Sequence, residues 1–174
     1  TMKDILEKAA RIRLVIFDVD GVLTDGSLFV GDDGQEYKAF NSRDGHGIKM
    51  LIKHGVTVAI ITGRTSKVVE HRMENLGIEH VFQGQLDKLP AFEKLTAELG
   101  ISPEETAYVG DDVVDLPVMR RVGMAIAVQD AHTLVRTHSH WQTPSNGGRG
   151  AARDVCEMIM EAHGVLDQEL SSYL

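Results

Sequence analysis

Cysteine is nearly missing from this chain. Cys156 is the only one among 174 residues, so no intrachain disulfide can form, and a reducing environment is expected. Long apolar runs are missing as well: residues 56–61 are among the longest and are far too short to cross a bilayer. Residues 1–13 mix charged and apolar side chains and hold no signal-peptide core. A cationic surface is the third absence. With 26 acidic against 18 basic residues the net charge is −8, and the basic residues are scattered, which argues against nucleic-acid and membrane partners. A small anionic substrate is still compatible, because a bound metal and a few local cations set the field inside a pocket. The 8 histidines show no spacing that suggests tetrahedral zinc, and there is neither a Walker loop nor a GxSxG elbow. A cytoplasmic protein is expected.

What is present fits one domain over residues 1–174, since 43% of the residues are hydrophobic and a chain of this size buries roughly 70% of its unfolded surface. Apolar runs at 14–17, 56–61, 107–109 and 125–128, with a weaker one at 80–83, predict strands buried on both faces. Helical periodicity fills the gaps at 44–53, 67–76, 89–99, 114–122 and 151–163. Gly55, Gly77, Gly100, Gly123 and Gly164 follow them where left-handed caps would fall. This alternation predicts an α/β fold, a Rossmann-like three-layer sandwich around a parallel sheet, with ligands bound beyond the carboxyl ends of the strands. One segment interrupts it. Residues 27–30 and 35–40 flank Gly31-Asp32-Asp33-Gly34 and read as a protruding β-hairpin within an insertion at about 26–40. A lone ribbon is marginal in water, so its apolar residues Leu28, Phe29, Val30, Tyr37 and Phe40 either fold back on the domain or meet another subunit.

Carboxylates gather at two strand ends. The first strand runs into Asp18-Val19-Asp20-Gly21-Val22-Leu23-Thr24-Asp25, where two acids two residues apart share a face and repel unless a cation or a function requires them. Magnesium, which prefers oxygen ligands, meets that requirement. The strand at 107–109 ends in Gly110-Asp111-Asp112, with Asp115 three residues on; helix capping accounts for one of these acids but not for all. Thr62-Gly63-Arg64 ends the strand at 56–61 and offers a hydroxyl and backbone N–H groups to a phosphoryl oxygen. Lys88 opens a helix and, taken alone, reads better as a solvated surface lysine.

In this order the four elements resemble the haloacid dehalogenase superfamily of phosphohydrolases, whose pattern is DxDGxxTD, a Thr or Ser, a Lys, then GDDxxD. The resemblance implies that Asp18 is the nucleophile of an aspartyl-phosphate mechanism and that Asp18, Asp111 and the carbonyl of Asp20 hold Mg2+. It makes the Asp20 side chain the acid and base, Thr62 and Lys88 the holders of the phosphoryl group, and Asp112 and Asp115 supporting groups. An acid rather than threonine at Asp20 sets hydrolases of this superfamily apart from its transport ATPases. The gaps that carry cap domains in other members hold only the hairpin and one helix, or nothing, so a capless fold is implied.

Phe40 to Leu51, Thr24-Asp25-Gly26, Gly84 to Lys88 and Asn146 to Gly150 further resemble the branch that dephosphorylates sugar acids in lipopolysaccharide biosynthesis, with 3-deoxy-D-manno-octulosonate 8-phosphate as the implied substrate. That branch implies contacts to the sugar acid phosphate from Asp20, Asn41, Ser42, Arg43, Asp44, Gly45, Lys49, Gly63, Arg64, Arg72 and Lys88. It also implies a homotetramer in which hairpins and C-terminal tails (about 165–174, with Arg149) close neighbouring sites. Bland alternatives stand beside these: solvated Lys49 and Arg72, a surface pair of Arg43 and Asp44, and a flexible turn at 147–150. A nine-carbon sugar acid phosphate, a phosphoprotein, or a silent scaffold subunit are the competing functions.

Overall fold

The computed structural model describes residues 1–174. In chain order its elements are α1 (Met2–Ala9), β1 (Leu14–Phe17), β2 (Phe29–Val30), β3 (Glu36–Tyr37), α2 (Ser42–Lys53), β4 (Thr57–Ile61), α3 (Lys67–Leu76) and β5 (His80–Phe82). They continue with α4 (Leu89–Leu99), β6 (Thr106–Gly110), α5 (Leu116–Met119), β7 (Met124–Ala127), α6 (Thr133–Thr137), β8 (Trp141–Gln142), α7 (Ala151–Ala162) and α8 (Leu166–Ser171). β1 has no polar side chain and is buried along its whole length, which only a central strand of a covered sheet allows. It pairs in parallel with β4 on one side and β6 on the other. The six-stranded sheet has the order β5-β4-β1-β6-β7-β8, with every pairing parallel. The chain winds outward from β1 through β4 to β5, then returns to β6 on the opposite side. The connections therefore diverge between β1 and β6, where open α/β sheets bind ligands.

The connection from β1 to β4 holds only the hairpin and α2, and that from β5 to α4 is a short loop, so no cap domain exists. The hairpin pairs Phe29 with Tyr37 and Val30 with Glu36, a shorter ladder than the sequence suggests. Leu28, Phe29, Val30 and Tyr37 are 47%, 54%, 62% and 56% exposed, so they do not fold back onto the domain. Phe40, at the hairpin's foot, packs against the core.

Two sequence expectations need correction. The helix foreseen at 114–122 is split into a 3-10 turn (Val113–Asp115) and the short α5. Asp112 caps its start while the Asp115 carboxylate turns back to accept from the Asp111 and Asp112 N–H groups, and Pro117 cannot supply a helical N–H. Gly123 is not a left-handed cap, unlike Gly55, Gly77, Gly100 and Gly164. A β-carbon there would stand 2.1 Å from the Glu104 carbonyl oxygen, so close backbone packing is what requires glycine. Four short elements were not foreseen: α1, α6, β8 and α8.

The last of these ends the chain against α2. The buried Glu169 carboxylate accepts from Lys53 Nζ at 3.0 Å and from His54 Nε2 at 2.8 Å, and Tyr173 OH lies 2.9 Å from His46 Nε2. The bonds from Lys53 and then His54 pull the Glu169 carboxyl from the ordinary 4.5 down to about 2. A depressed carboxylate contributes stability that is complete above the unfolded value and disappears as pH falls through the folded one. Hydrogen exchange over residues 166–174 should therefore show protection at neutral pH that is lost between pH 4.5 and about 2. Glu169→Gln should lack that protection at every pH.

Candidate active site

Register brings the strand ends together. Phe17 is level with Ile60 of β4 and Val109 of β6, so the residues just beyond, Asp18, Thr62 and Asp111, emerge side by side at one edge of the sheet. Behind them Lys88, at the start of α4, reaches in from the second wall. Its ammonium is 3.0 Å from Asp18 Oδ2 and 2.7 Å from Asp115 Oδ1, and it donates to Tyr108 OH at 3.0 Å. Tyr108 in turn donates to Asp115 Oδ1 at 2.5 Å. Asp18, Lys88 and Asp115 are all buried. Lys88 is thus an internal cation and not a solvated one: burial opposes its charge, but Asp18 and Asp115 outweigh burial and raise its pKa.

The anionic side is under strain. Burial, followed by the Asp115 charge, pushes Asp18 up to about 7, and burial with Asp115 and Asp18 pushes Asp111 up to about 8. One lysine does not balance this many carboxylates in a low-dielectric site. The turn that presents them is built for closeness: Gly21 has φ +87°, and a β-carbon on it would lie 1.9 Å from Asp111 Oδ2, so only glycine fits.

The mouth is a cleft of about 340 Å3 lined by Asp18, Asp20, Thr62, Gly63, Arg64, Lys88, Asp111 and Asp112, with Gly26, Gln85, Leu86 and Val114. Thr62 is buried and its hydroxyl has no protein partner. Asn41, Ser42, Arg43, Asp44, Gly45, Lys49 and Arg72 do not line this cleft. Ser42, Arg43 and Lys49 are exposed. Arg72 lies over the Phe40 ring at 5.6 Å and donates to the Asn41 carbonyl. Asp44 is 2% exposed, and its Oδ1 accepts from the Arg153 N–H in the first turn of α7. Within this chain that carboxylate ties α2 to α7, although burial outweighs the α7 backbone hydrogen bonds and raises its pKa, and Arg43 does not pair with it.

Residues 78–153 match the haloacid dehalogenase-like hydrolase family. The 3-deoxy-D-manno-octulosonate 8-phosphate phosphatase KdsC of Yersinia pestis is 51% identical over 164 residues, which is 94% of this chain and 88% of that protein. The enzyme of the same name from Escherichia coli K12 is 52% identical, over 95% and 88%. The chain belongs to the KdsC family of haloacid dehalogenase-like phosphatases. A KdsC-family crystal structure, the Moraxella catarrhalis phosphatase in complex with magnesium, phosphate and the sugar acid, matches with TM-score 0.98 and 42% identity over the full length of both chains.

The residues of this KdsC-family member fit a hard divalent cation. Carboxylate oxygens of Asp18, Asp111 and Asp115 all lie within 4.8 Å of one another. Asp115, however, has both oxygens engaged, Oδ1 by Lys88 and Tyr108 and Oδ2 by the Asp111 and Asp112 N–H groups. Asp111 has neither carboxylate oxygen engaged by the protein, and Asp18 beside it meets only the Val19 N–H and Lys88, so these two carboxylates are the ones placed to face a cation, while Asp115 orients both Lys88 and the Asp111 loop.

Sequence reasoning did not single out Tyr108, which carries no signal within an apolar strand, nor the packing role of 147–150. That segment is not a loose turn. The Gly148 N–H donates to the Val22 carbonyl at 2.8 Å, and a β-carbon on Gly147 would meet the Gly21 carbonyl oxygen at 1.7 Å. It braces the turn that carries Asp18 and Asp20.

Two tests follow from this geometry. Gly147→Ala should destabilise the fold by about 1–3 kcal/mol through overpacking and lower activity with it, as read from urea unfolding and turnover. Thermal melts should rise with magnesium. Because the cation needs both aspartates ionised, its effect should shrink as pH drops through about 8 and then about 7, and Asp111→Asn should abolish it.

Proposed function

We propose that this chain hydrolyses the phosphate monoester of 3-deoxy-D-manno-octulosonate 8-phosphate, with Mg2+, through an aspartyl-phosphate on Asp18. The observation that carries it is the grouping of buried Asp18 and Lys88 with half-buried Asp111 on the floor of a cleft with Asp20 at its rim. The KdsC relatives supply the substrate, and the Moraxella structure with bound magnesium and sugar acid supplies the cation and the product. Asp18, Asp111 and the Asp20 carbonyl are the ligands we assign to the cation, which when bound neutralises phosphoryl oxygens and allows two anions to approach.

Asp18 then attacks phosphorus, forming the Asp18 O–P bond as the bond to the sugar oxygen breaks. The Asp20 carboxyl gives its proton to that leaving oxygen. A water next attacks phosphorus, the Asp18 O–P bond breaks, and Asp20 takes the proton of the water. The Val19 N–H donates to Asp18 Oδ1 at 2.7 Å, which fixes the nucleophile's orientation. Thr62, with its unused hydroxyl, Gly63 and Lys88 hold the phosphoryl oxygens, and Arg64 faces an acidic substrate from the rim. Asp112 supports the loop.

We assign the chain to the cytoplasm, where a sugar acid phosphate would be supplied; no helix is long and apolar enough to cross a membrane. A homotetramer, with hairpins and C-terminal tails closing neighbouring sites, is supported by the exposed apolar residues of the hairpin and by a cleft without a cap. It would give Asn41, Ser42, Arg43, Gly45, Lys49 and Arg72 a route to substrate that a single chain does not.

Phosphate release from a panel of phosphorylated sugars, nine-carbon sugar acids and phosphopeptides tests the assignment. The eight-carbon sugar acid phosphate should be strongly preferred, a chelator should abolish turnover, and Asp18→Asn should be inactive. Metal-dependent release spread evenly over the panel would leave the chemistry standing and overturn the substrate.

A further inference from the structure

The hairpin's return strand does something its exposed apolar side does not reveal. Side chains two apart on a strand share a face, and here Glu36 and Lys38 both turn to the site while Tyr37 between them faces outward. Glu36 pairs with Arg64. Lys38 Nζ lies 2.7 Å from Asp20 Oδ1, with only 1% of the lysine side chain exposed.

A buried ammonium is unfavourable unless it is paired, and Asp20 Oδ1 is its only side-chain partner. Lys38 is not among the residues that line the cleft, whereas Asp20 is. The lysine therefore grips the carboxylate from behind. Asp20 Oδ2 has no partner in the protein, so the grip on Oδ1 leaves Oδ2 as the oxygen available to a reacting group. An unrestrained aspartate would sample several rotamers, and proton transfer requires the acid within hydrogen-bond reach of the leaving oxygen.

We propose that Lys38 is a positioning residue for proton transfer: the hydrogen bond it donates to Asp20 Oδ1, whether Asp20 is ionised or protonated on Oδ2, aims Oδ2 into the cleft and makes the seating of the hairpin a condition of efficient leaving-group protonation. This rests on Asp20 acting as the acid. In the step concerned the phosphorus–oxygen bond to the leaving alkoxide breaks, the Asp18 O–P bond forms, and the proton moves from Asp20 Oδ2 to the alkoxide. Lys38 keeps its own proton throughout.

The test compares kcat/KM, which reports phosphoryl transfer to Asp18, for the alkyl ester 3-deoxy-D-manno-octulosonate 8-phosphate and for p-nitrophenyl phosphate. The phenolate of the latter leaves without needing a proton. Full-length Lys38→Met, with magnesium, should lose about tenfold or more on the alkyl ester, a part of the 10²–10⁴-fold that general acid catalysis contributes, and far less on the aryl ester. Lys38→Arg, which keeps a buried cation and tolerates the fold if Met does not, should recover most of the loss. Asp20→Asn is the reference and should separate the two esters more strongly. Equal losses on both esters for Lys38→Met, no loss on either, or an alkyl-ester loss in Lys38→Arg as large as that of Asp20→Asn, while Asp20→Asn separates the esters, would overturn the role of Lys38. If Asp20→Asn itself treats the esters alike, the acid assignment fails first and the inference with it.

Discussion

The site depends on one buried cation held between two buried carboxylates. Lys88, Asp18 and Asp115 are each nearly free of solvent, and removing one partner of such a group strands the others, typically at a cost of roughly 3–5 kcal/mol. Asp115 spends no oxygen on solvent: it fixes Lys88, accepts from Tyr108, and holds the Asp111 and Asp112 N–H groups. One acid thereby sets the position of the lysine and the shape of the loop that offers Asp111.

The surplus of negative charge is what makes this arrangement both reactive and incomplete. With Asp18 and Asp111 displaced toward neutrality by burial and by the Asp115 charge, a hard cation favours the ionised site. Charge demand therefore couples occupancy by a cation to the ionisation of Asp18 and Asp111.

Three segments far apart in sequence meet around the Asp18 turn. The GDDxxD segment supplies charge, the Gly147–Gly148 backbone braces the turn from outside, and the hairpin sends Lys38 to Asp20 and Glu36 to Arg64. No cap domain covers the cleft, and the hairpin foot reaches Asp20 through Lys38 while its apolar side remains exposed.

Much of this was legible in the chain. Buried parallel strands announce themselves as apolar runs, and β1, α3 and α4 fall where periodicity places them. Asp18, Asp20, Thr62 and Asp111 stand out because strand ends in an α/β sheet converge by topology alone, and acids that follow apolar runs have few other reasons to exist; Lys88 stands out only through the family resemblance. Other features depended on contacts across the fold. Asp44 looks like a substrate ligand in a motif, yet its carboxylate closes on α7; Gly123 looks like a cap, yet answers to the Glu104 carbonyl. Lys38 and Tyr108 carry no local pattern, since their partners are 18 and 7 residues away. Sequence determined which residues could do chemistry, because residue type and strand-end position are local properties. Tertiary structure decided which of them face one another, because burial and charge pairing exist only once distant segments are packed together.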